Sequence, residues 1–306
     1  MAGKLESRLD SYRSAPAGDK CFYILLGFLL TFCFIVVLYP CIFVVSASFS
    51  SGQAVTSGQV ILLPVNFSLD GYQMVLGNKN VISGFLNSFF YTVFGTALNL
   101  VVTMICAYCM SRKDLPGRDG IMFLFIFTML FSGGMIASYL LTKALGMINT
   151  RWVMLLPGAM NVYNMIIART YIQSSIPGDL LEASQIDGCS DIKYFLNVVL
   201  PLSNSVMAVL VLFYAIGHWN SYFHPMIYLN DRDLFPLTIF LKEILISSQM
   251  DSSMMSSDPE MATRIATLAN VIKYSLIVVT MIPMIILYPF IQKYFVKGVM
   301  IGAVKG

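Results

Sequence analysis

Few residues in this sequence have the type and spacing that catalysis needs. Cys106-Ala107-Tyr108-Cys109 has the spacing of a redox motif, but its thiols lie in an apolar stretch that supplies no metal ligand. Asp231-Arg232-Asp233 mimics a metal-binding motif of some glycosyltransferases, although a solvated turn is the simpler interpretation. No Gly-x4-Gly-Lys-Ser/Thr pattern, which would cradle the phosphates of ATP, is present. We therefore predict no catalytic residue, no metal site and no cofactor in this chain.

One polar segment, residues 175–201, has instead the pattern of a docking element. Ser175 and Pro177 predict the start of a short helix, since serine is a good N-cap and proline fits the first turn. Gly188 predicts the end of this helix and Ser190 the cap of the next one. A short helix with an apolar side and fixed carboxylates is suited to binding a partner protein. The apolar side consists of Leu180, Leu181 and Ile186, and the carboxylates are those of Glu182 and Asp187.

The chain as a whole is too apolar for a water-soluble protein. Of its 306 residues, 57% are hydrophobic and 11% are charged, and the mean hydropathy is +0.75. A soluble domain carries about 25% charged residues. This composition excludes a soluble enzyme, and a net charge of +3 is too small to indicate nucleic-acid binding. Most of the chain must therefore be surrounded by lipid.

Stretches without Asp, Glu, Lys or Arg mark the segments that cross the bilayer. A charge at the bilayer centre costs about 2.5–3.5 kcal/mol, and each span needs roughly 20 mostly apolar residues. We predict an all-α multi-pass membrane protein with an N-terminal tail (1–21), a single membrane domain (22–297) and a C-terminal tail (298–306). Its six predicted membrane-spanning helices cover residues 22–47, 83–111, 120–142, 152–173, 202–229 and 271–293.

The placement of Lys and Arg predicts the orientation of the chain in the membrane. With the N-terminus inside, twelve of these residues fall in inner segments and seven in outer segments, although the outer loops are longer. Cytoplasmic loops generally carry the excess of Lys and Arg. Both termini and the polar segment 175–201 are therefore predicted to be cytoplasmic.

The polar segment resembles the EAA loop of ABC importer permeases, whose pattern is Glu-Ala-Ala-x3-Gly-x9-Ile-x-Leu-Pro. This chain has Glu182-Ala183-Ser184, three residues, Gly188, nine residues and then Val198-Val199-Leu200-Pro201. Ser184 and Val198 depart from the pattern but keep the side-chain size nearly unchanged. Further motifs resemble carbohydrate permeases of the MalG type and, among these, the LplC/YtcP branch. They are Gly146-Met147-Ile148-Asn149-Thr150, Phe131-Ser132-Gly133-Gly134, Gly217-His218-Trp219-Asn220-Ser221-Tyr222-Phe223, Pro236-Leu237 and the tail 297–306.

This resemblance implies a MetI-like permease fold and a transport function rather than an enzyme. Such a subunit of a bacterial cell membrane would import oligosaccharides or polysaccharide fragments by alternating access. The implied partners are a second, MalF-like permease, two cytoplasmic ATPase subunits that hold ATP and Mg, and an extracellular sugar-binding lipoprotein. By matching motif, the residues that couple to the ATPases would be Glu182, Ala183, Ser184, Asp187 and Gly188.

The fourth and fifth predicted spans carry side chains that suit sugar binding. Sugars are bound by aromatic faces that stack on the rings and by amide and hydroxyl groups. We predict that the substrate path is lined by Asn164, Trp219, Asn220 and Tyr222. The alternative is that these residues pack between helices or lie in the outer interfacial belt, where Trp and Tyr collect.

Two other classes of membrane protein compete with the importer permease. A self-sufficient secondary transporter or channel predicts ionisable groups within its spans, and a membrane enzyme acting on lipid-linked sugar needs catalytic carboxylates on an outer loop. Since the sequence lacks a phosphate-cradling motif, the energy for transport is expected to come from a docked partner.

Overall fold

The structure, a computed structural model, describes residues 16–250 and 259–302, and these residues form helices joined by turns. Strand pairing among them is limited to one isolated antiparallel bridge between Ser50 and Phe67. A π-helix (Phe195–Val199) and a 3-10 helix (Arg232–Leu234) interrupt the α-helical series. The α-helices are α1 (Ala17–Ser48), α2 (Gly52–Thr56), α3 (Asp70–Gly77), α4 (Lys79–Ser111), α5 (Arg118–Leu130), α6 (Gly134–Ala144), α7 (Trp152–Leu155), α8 (Val162–Ser175), α9 (Asp179–Ile186), α10 (Asp191–Tyr194), α11 (Leu200–Leu202), α12 (Asn204–Trp219), α13 (Phe223–Tyr228), α14 (Leu237–Met250) and α15 (Pro259–Gly302).

The chain divides into two compact units, of which the first comprises Met1–Gln73 and Met250–Val278. The end of α1, helices α2 and α3 and part of α15 pack together in this unit. Gly71 on α3 lies so close to α15 that an added Cβ would be 2.9 Å from the Val271 carbonyl oxygen. Small side chains therefore allow the close approach of these two helices.

The second unit comprises Met74–Gln249 and Val279–Gly306, and α4 is its central helix. Helix α4 packs against α8 and α12, with Met104, Met165 and Leu210 almost fully buried between them. The same helix buries a series of polar side chains, as expected where membrane helices associate through small and polar groups rather than hydrophobic exclusion. These are Asn87, Ser88, Thr96, Asn99 and Thr103.

Three helical segments of the described chain are long and apolar enough to cross a membrane, namely Gly18–Ser48, Lys79–Ser111 and Ala269–Pro289. The number rises to five if each of two bent helix pairs forms one span. The pairs are α5 with α6, bent by 112°, and Asp191–Leu202 with α12, bent by 80°. The six-span count and the orientation stay predictions.

Three of the predicted helices are interrupted in the structure. The segment 120–142 breaks between α5 and α6, where Gly134 has a φ of +80° that glycine tolerates. The segment 152–173 breaks before α8, around Pro157, which has no N–H to continue a helix. The segment 202–229 breaks after α12. Helix α15 continues into the predicted tail as far as Gly302, and residues 303–306 lie outside the described residues.

Candidate functional site

The predicted docking helix exists as α9, and none of its residues is buried. Glu182 and Ala183 are exposed, and the side chain of Ile186 is left 87% accessible. Ser184 is half-buried, and its hydroxyl donates to the carbonyl oxygen of Leu181 at 2.7 Å. Leu180 is also exposed, so α9 presents more than one apolar side chain on its surface, as a binding surface for a partner protein does.

Two residues define the turn between α9 and α10. Gly188 adopts a φ of +69°, and Cys189 N–H donates to the Ser184 carbonyl at 2.9 Å, which closes the helix. The Ser190 hydroxyl then accepts from Lys193 N–H at 3.4 Å and caps α10. Both predictions are confirmed. The predicted N-cap at Ser175 is wrong, because Ser175 ends α8 and Gly178 occupies the N-cap of α9.

Helix α8 holds the end of α4 through two side chains. Arg169 donates from Nε to the carbonyl oxygen of Met110 at 2.9 Å, and Gln173 donates from Nε2 to that of Ser111 at 3.2 Å. The last carbonyls of a helix lack partners within the helix and carry its negative partial charge, so an arginine is well placed there. A cavity of about 780 Å³ is lined by these residues of α8 and by Glu182 of α9.

Arg112, the residue that follows α4, joins this helix end to the docking segment. We use this name for residues 179–195, which comprise α9, α10, the turn between them and Phe195. The Arg112 guanidinium lies 2.5 Å from Asp114 and 3.0 Å from Asp191, the first residue of α10. It also donates to the hydroxyl of Tyr108 at 3.2 Å. The hydrogen bond from Arg112 lowers the pKa of the Asp114 carboxyl below its usual value, and the same bond raises the pKa of the guanidinium.

A second cavity, of about 350 Å³, lies among α4, α8 and α12 and is lined by both polar and apolar residues. Asn164 lines it, and its backbone N–H is capped by the Asn161 side chain at 3.1 Å. Asn99 Oδ1 accepts a hydrogen bond from Nε2 of the His218 ring at 2.6 Å, and Asn99 Nδ2 donates to the Gly158 carbonyl. The cavity therefore presents amide and imidazole groups within the helical core of the second unit.

The chain matches the model of the family described as "Binding-protein-dependent transport system inner membrane component" over residues 13–301. The chain belongs to this family. The predicted resemblance, the MetI-like permease fold and the membrane location are thereby confirmed. Members of this family are permease subunits rather than enzymes, and the ATPase activity of their transport systems lies in separate subunits.

Individual relatives agree with this assignment. This permease is 44% identical over 280 residues to the polygalacturonan/rhamnogalacturonan transport system permease protein YtcP of Bacillus subtilis, covering 92% of this chain and 96% of YtcP. It is 37% identical over 276 residues to protein LplC of the same organism, covering 89% and 90%. A crystal structure of a bacterial ABC transporter involved in the import of the acidic polysaccharide alginate contains a similar chain. The TM-score is 0.82 at 35% identity, and the match covers 92% of the permease and 99% of that chain.

The structure separates the four residues that were predicted to line the substrate path. Asn164 lines the smaller cavity, whereas Trp219 is 3% exposed and donates from its indole N–H to the Thr280 carbonyl at 3.0 Å. Asn220 is exposed after the end of α12. The ring of Tyr222 lies under the Lys242 ammonium, which is 4.4 Å from its centroid. Trp219 thus sits in a helix contact, and only Asn164 of the four borders that cavity.

Sequence reasoning passed over two residues that the structure places at these sites. Asn99 forms a polar pair with His218 beside Asn164, and a polar side chain within a membrane helix is a signal that would have found it. The sequence alone indicates Arg112 only as one of the twelve Lys and Arg residues of the inner segments. Its partner Asp191 is 79 positions away in the chain, so no local pattern relates the two.

Proposed function

We propose that this permease is one of two pore-forming subunits of an ATP-driven importer for oligosaccharides derived from acidic polysaccharides. Support for the substrate class comes from its relatives, since YtcP is described as a polygalacturonan/rhamnogalacturonan permease and the similar crystal structure as an alginate importer. The partners would be a second, MalF-like permease, two cytoplasmic ATPases and an extracellular sugar-binding lipoprotein. ATP and Mg²⁺ would bind to the ATPases alone.

The observation that carries the proposal is the exposure of α9. Every residue of this helix is at least partly accessible, yet Gly188 and the Ser190 cap fix both the helix and the segment after it. Helix α9 packs on the hydrophobic core through Leu181, and its exposed side is available to a partner. In the proposed assembly Glu182, Ala183, Ser184, Asp187 and Gly188 would form the contact with one ATPase.

The proposed mechanism is alternating access. ATP binding brings the two ATPases together and moves the docked α9 helices with them. Helices α8 and α12, which precede and follow the docking segment in the chain, then tilt as rigid bodies and open the pore outward. ATP hydrolysis returns the pore to its inward-open state. Sugar would pass Asn164, and Asn220 and Tyr222 would extend the path, whereas Trp219 packs against α15.

Removing one carboxylate of α9 tests the docking function. The tagged permease and its Glu182→Ala variant are purified in mild detergent from the native host, and the copurifying ATPase is quantified by mass spectrometry. We expect the variant to insert normally but to lose ATPase association by about tenfold, which corresponds to about 1.4 kcal/mol. Glu243→Ala, which removes a carboxylate from α14, is the matched control and is expected to retain the ATPase. Wild-type levels of transport-coupled ATPase activity after deletion of residues 179–188 would contradict the proposal.

The substrate class needs its own test. The copurified assembly is placed in lipid vesicles with its cognate binding protein, and ATP hydrolysis is measured with oligogalacturonates and with neutral malto-oligosaccharides of equal length. The proposal expects stimulation by the acidic oligosaccharides only. Equal stimulation by the neutral sugars would show that acidity does not define the substrate.

A further inference from the structure

The C-terminal end of α4 is not adjacent in the chain to the docking segment, in contrast to α8 and α12. The docking segment follows α8 directly and leads through the π-helix and α11 into α12. Helix α4 ends at Ser111 and is separated from α9 by about 70 positions of chain. The direct route by which a movement of α9 and α10 can reach the end of α4 is therefore a non-covalent contact across the fold.

Arg112, which follows α4, makes such a contact with Asp191 of α10. Its guanidinium lies 2.5 Å from the carboxylate of Asp114, in the turn that follows α4. The same guanidinium lies 3.0 Å from the carboxylate of Asp191 in the docking segment. The Arg112 side chain is 12% exposed, whereas the two carboxylates are 64% and 70% exposed. The arginine is thus fixed in the protein, and the carboxylates reach it from the solvent side.

Aromatic packing reinforces the same junction. The Tyr108 ring of α4 lies 5.2 Å from the Phe195 ring and 6.3 Å from the Tyr194 ring, both at the end of the docking segment. The Arg112 guanidinium lies 5.9 Å from the centroid of the Tyr108 ring. The ion pair therefore lies against a packed aromatic cluster, which limits the freedom of the arginine and lowers the entropic cost of holding Asp191.

Helix α4 connects this junction to the polar cavity. About two turns from its end Thr103 contacts the Tyr214 hydroxyl at 2.6 Å, and one turn further Asn99 contacts His218 at 2.6 Å. Both partners lie on α12. A shift of the α4 end along or around its axis would therefore change the groups that border the cavity.

We propose that Arg112 is a positioning residue that transmits the movement of the docking segment to α4 through its ion pair with Asp191. This inference rests on the proposed docking of α9 to an ATPase. It assigns Arg112 no contact with ATP, sugar or ATPase. Its role is to make α4 follow the docking segment during each cycle.

The two carboxylates of Arg112 supply a matched pair of variants. Asp191→Asn removes the ion pair between the docking segment and Arg112 at the end of α4, whereas Asp114→Asn removes only the ion pair within the turn after α4. The assembly copurified with each variant is reconstituted in vesicles, and ATP hydrolysis is measured with and without sugar-loaded binding protein. We expect Asp191→Asn to lower the stimulation by about two- to fivefold, the range that a partly exposed ion pair supplies. Asp114→Asn is expected to preserve the stimulation, and Asp191→Glu to restore most of it.

Each outcome has a defined meaning. If Asp191→Asn keeps the wild-type stimulation, or if Asp114→Asn loses as much, the transmission role of Arg112 is wrong. If Asp191→Asn reduces the amount of copurified ATPase, Asp191 acts by docking and the inference is also overturned. A wild-type assembly that contains no ATPase would instead refute the proposed function, so the two failures are distinguishable.

Discussion

Gly188 shows how a single backbone conformation controls the docking segment. Its φ of +69° lies in the left-handed region, where a side chain other than glycine costs roughly 1–2 kcal/mol. Steric crowding does not require glycine at this position, because an added Cβ would have no atom within 4 Å. Glycine is therefore required by the backbone conformation of the turn between α9 and α10. This turn sets the orientation of α9 relative to α10.

The replacement Gly188→Ala tests this requirement. We expect it to destabilise the turn by roughly 1–2 kcal/mol and to lower ATPase association and sugar uptake, while the membrane helices fold normally. Association is measured by copurification and uptake with labelled oligosaccharide. Gly178→Ala is the control, because Gly178 has a right-handed helical conformation and equally open surroundings. Equal losses in both variants would mean that the left-handed turn is not the cause.

The residues that could be predicted from the sequence are those that depend on near neighbours. Gly188 and Ser190 were recognised because a helix end and a helix cap are decided within a few positions. Asn99 and His218 are 119 positions apart, and Trp219 and Thr280 are 61 apart, so their contacts depend on how whole helices pack. Burial of the Trp219 indole could not be distinguished in advance from exposure to a pore, because both suit an aromatic residue in an apolar segment.

At the scale of helices, hydropathy located the apolar segments but not their breaks. The segment 120–142 is apolar throughout, yet α5 and α6 meet at an angle of 112°. Phe131-Ser132-Gly133-Gly134 contains the break, and the sequence marked it with two glycines. Glycine is also frequent within membrane helices, where small residues allow close packing. The signal was therefore present but had two meanings.

Helix packing in the first unit leads to a prediction about Gly71. Alanine at this position would place a Cβ 2.9 Å from the Val271 carbonyl oxygen and would also clash with the Ser275 hydroxyl, so α3 and α15 would have to separate. We expect Gly71→Ala to destabilise the first unit by about 1–3 kcal/mol, measured by thermal unfolding in detergent. Gly77→Ala on the same helix meets nothing within 4 Å and is expected to cause little change. An unchanged melting temperature for Gly71→Ala would contradict this packing.

At the scale of the whole molecule, separation of the pore from its energy source explains the composition of the chain. The permease is free to be 57% hydrophobic because the ATP-binding machinery lies in other subunits. Its polar features include the exposed residues of α9 and the groups around the cavity beside Asn164, where the proposed function places a partner and a substrate. Orientation becomes decisive, because α9 can meet a cytoplasmic ATPase only from the inner side.

The distribution of Lys and Arg predicts that α9 and the loop after α1 lie on opposite sides of the membrane. Two variants without other cysteines test this, one retaining Cys189 and one carrying Ser57→Cys, each treated with a membrane-impermeant maleimide. We expect Cys189 to react in inside-out vesicles and the cysteine at position 57 to react in right-side-out vesicles, each with a several-fold preference. Detergent-solubilised samples control for burial, since both must react once the bilayer is removed. Labelling of Cys189 from outside would place α9 beyond the reach of ATP-driven subunits, and the coupling mechanism could not operate.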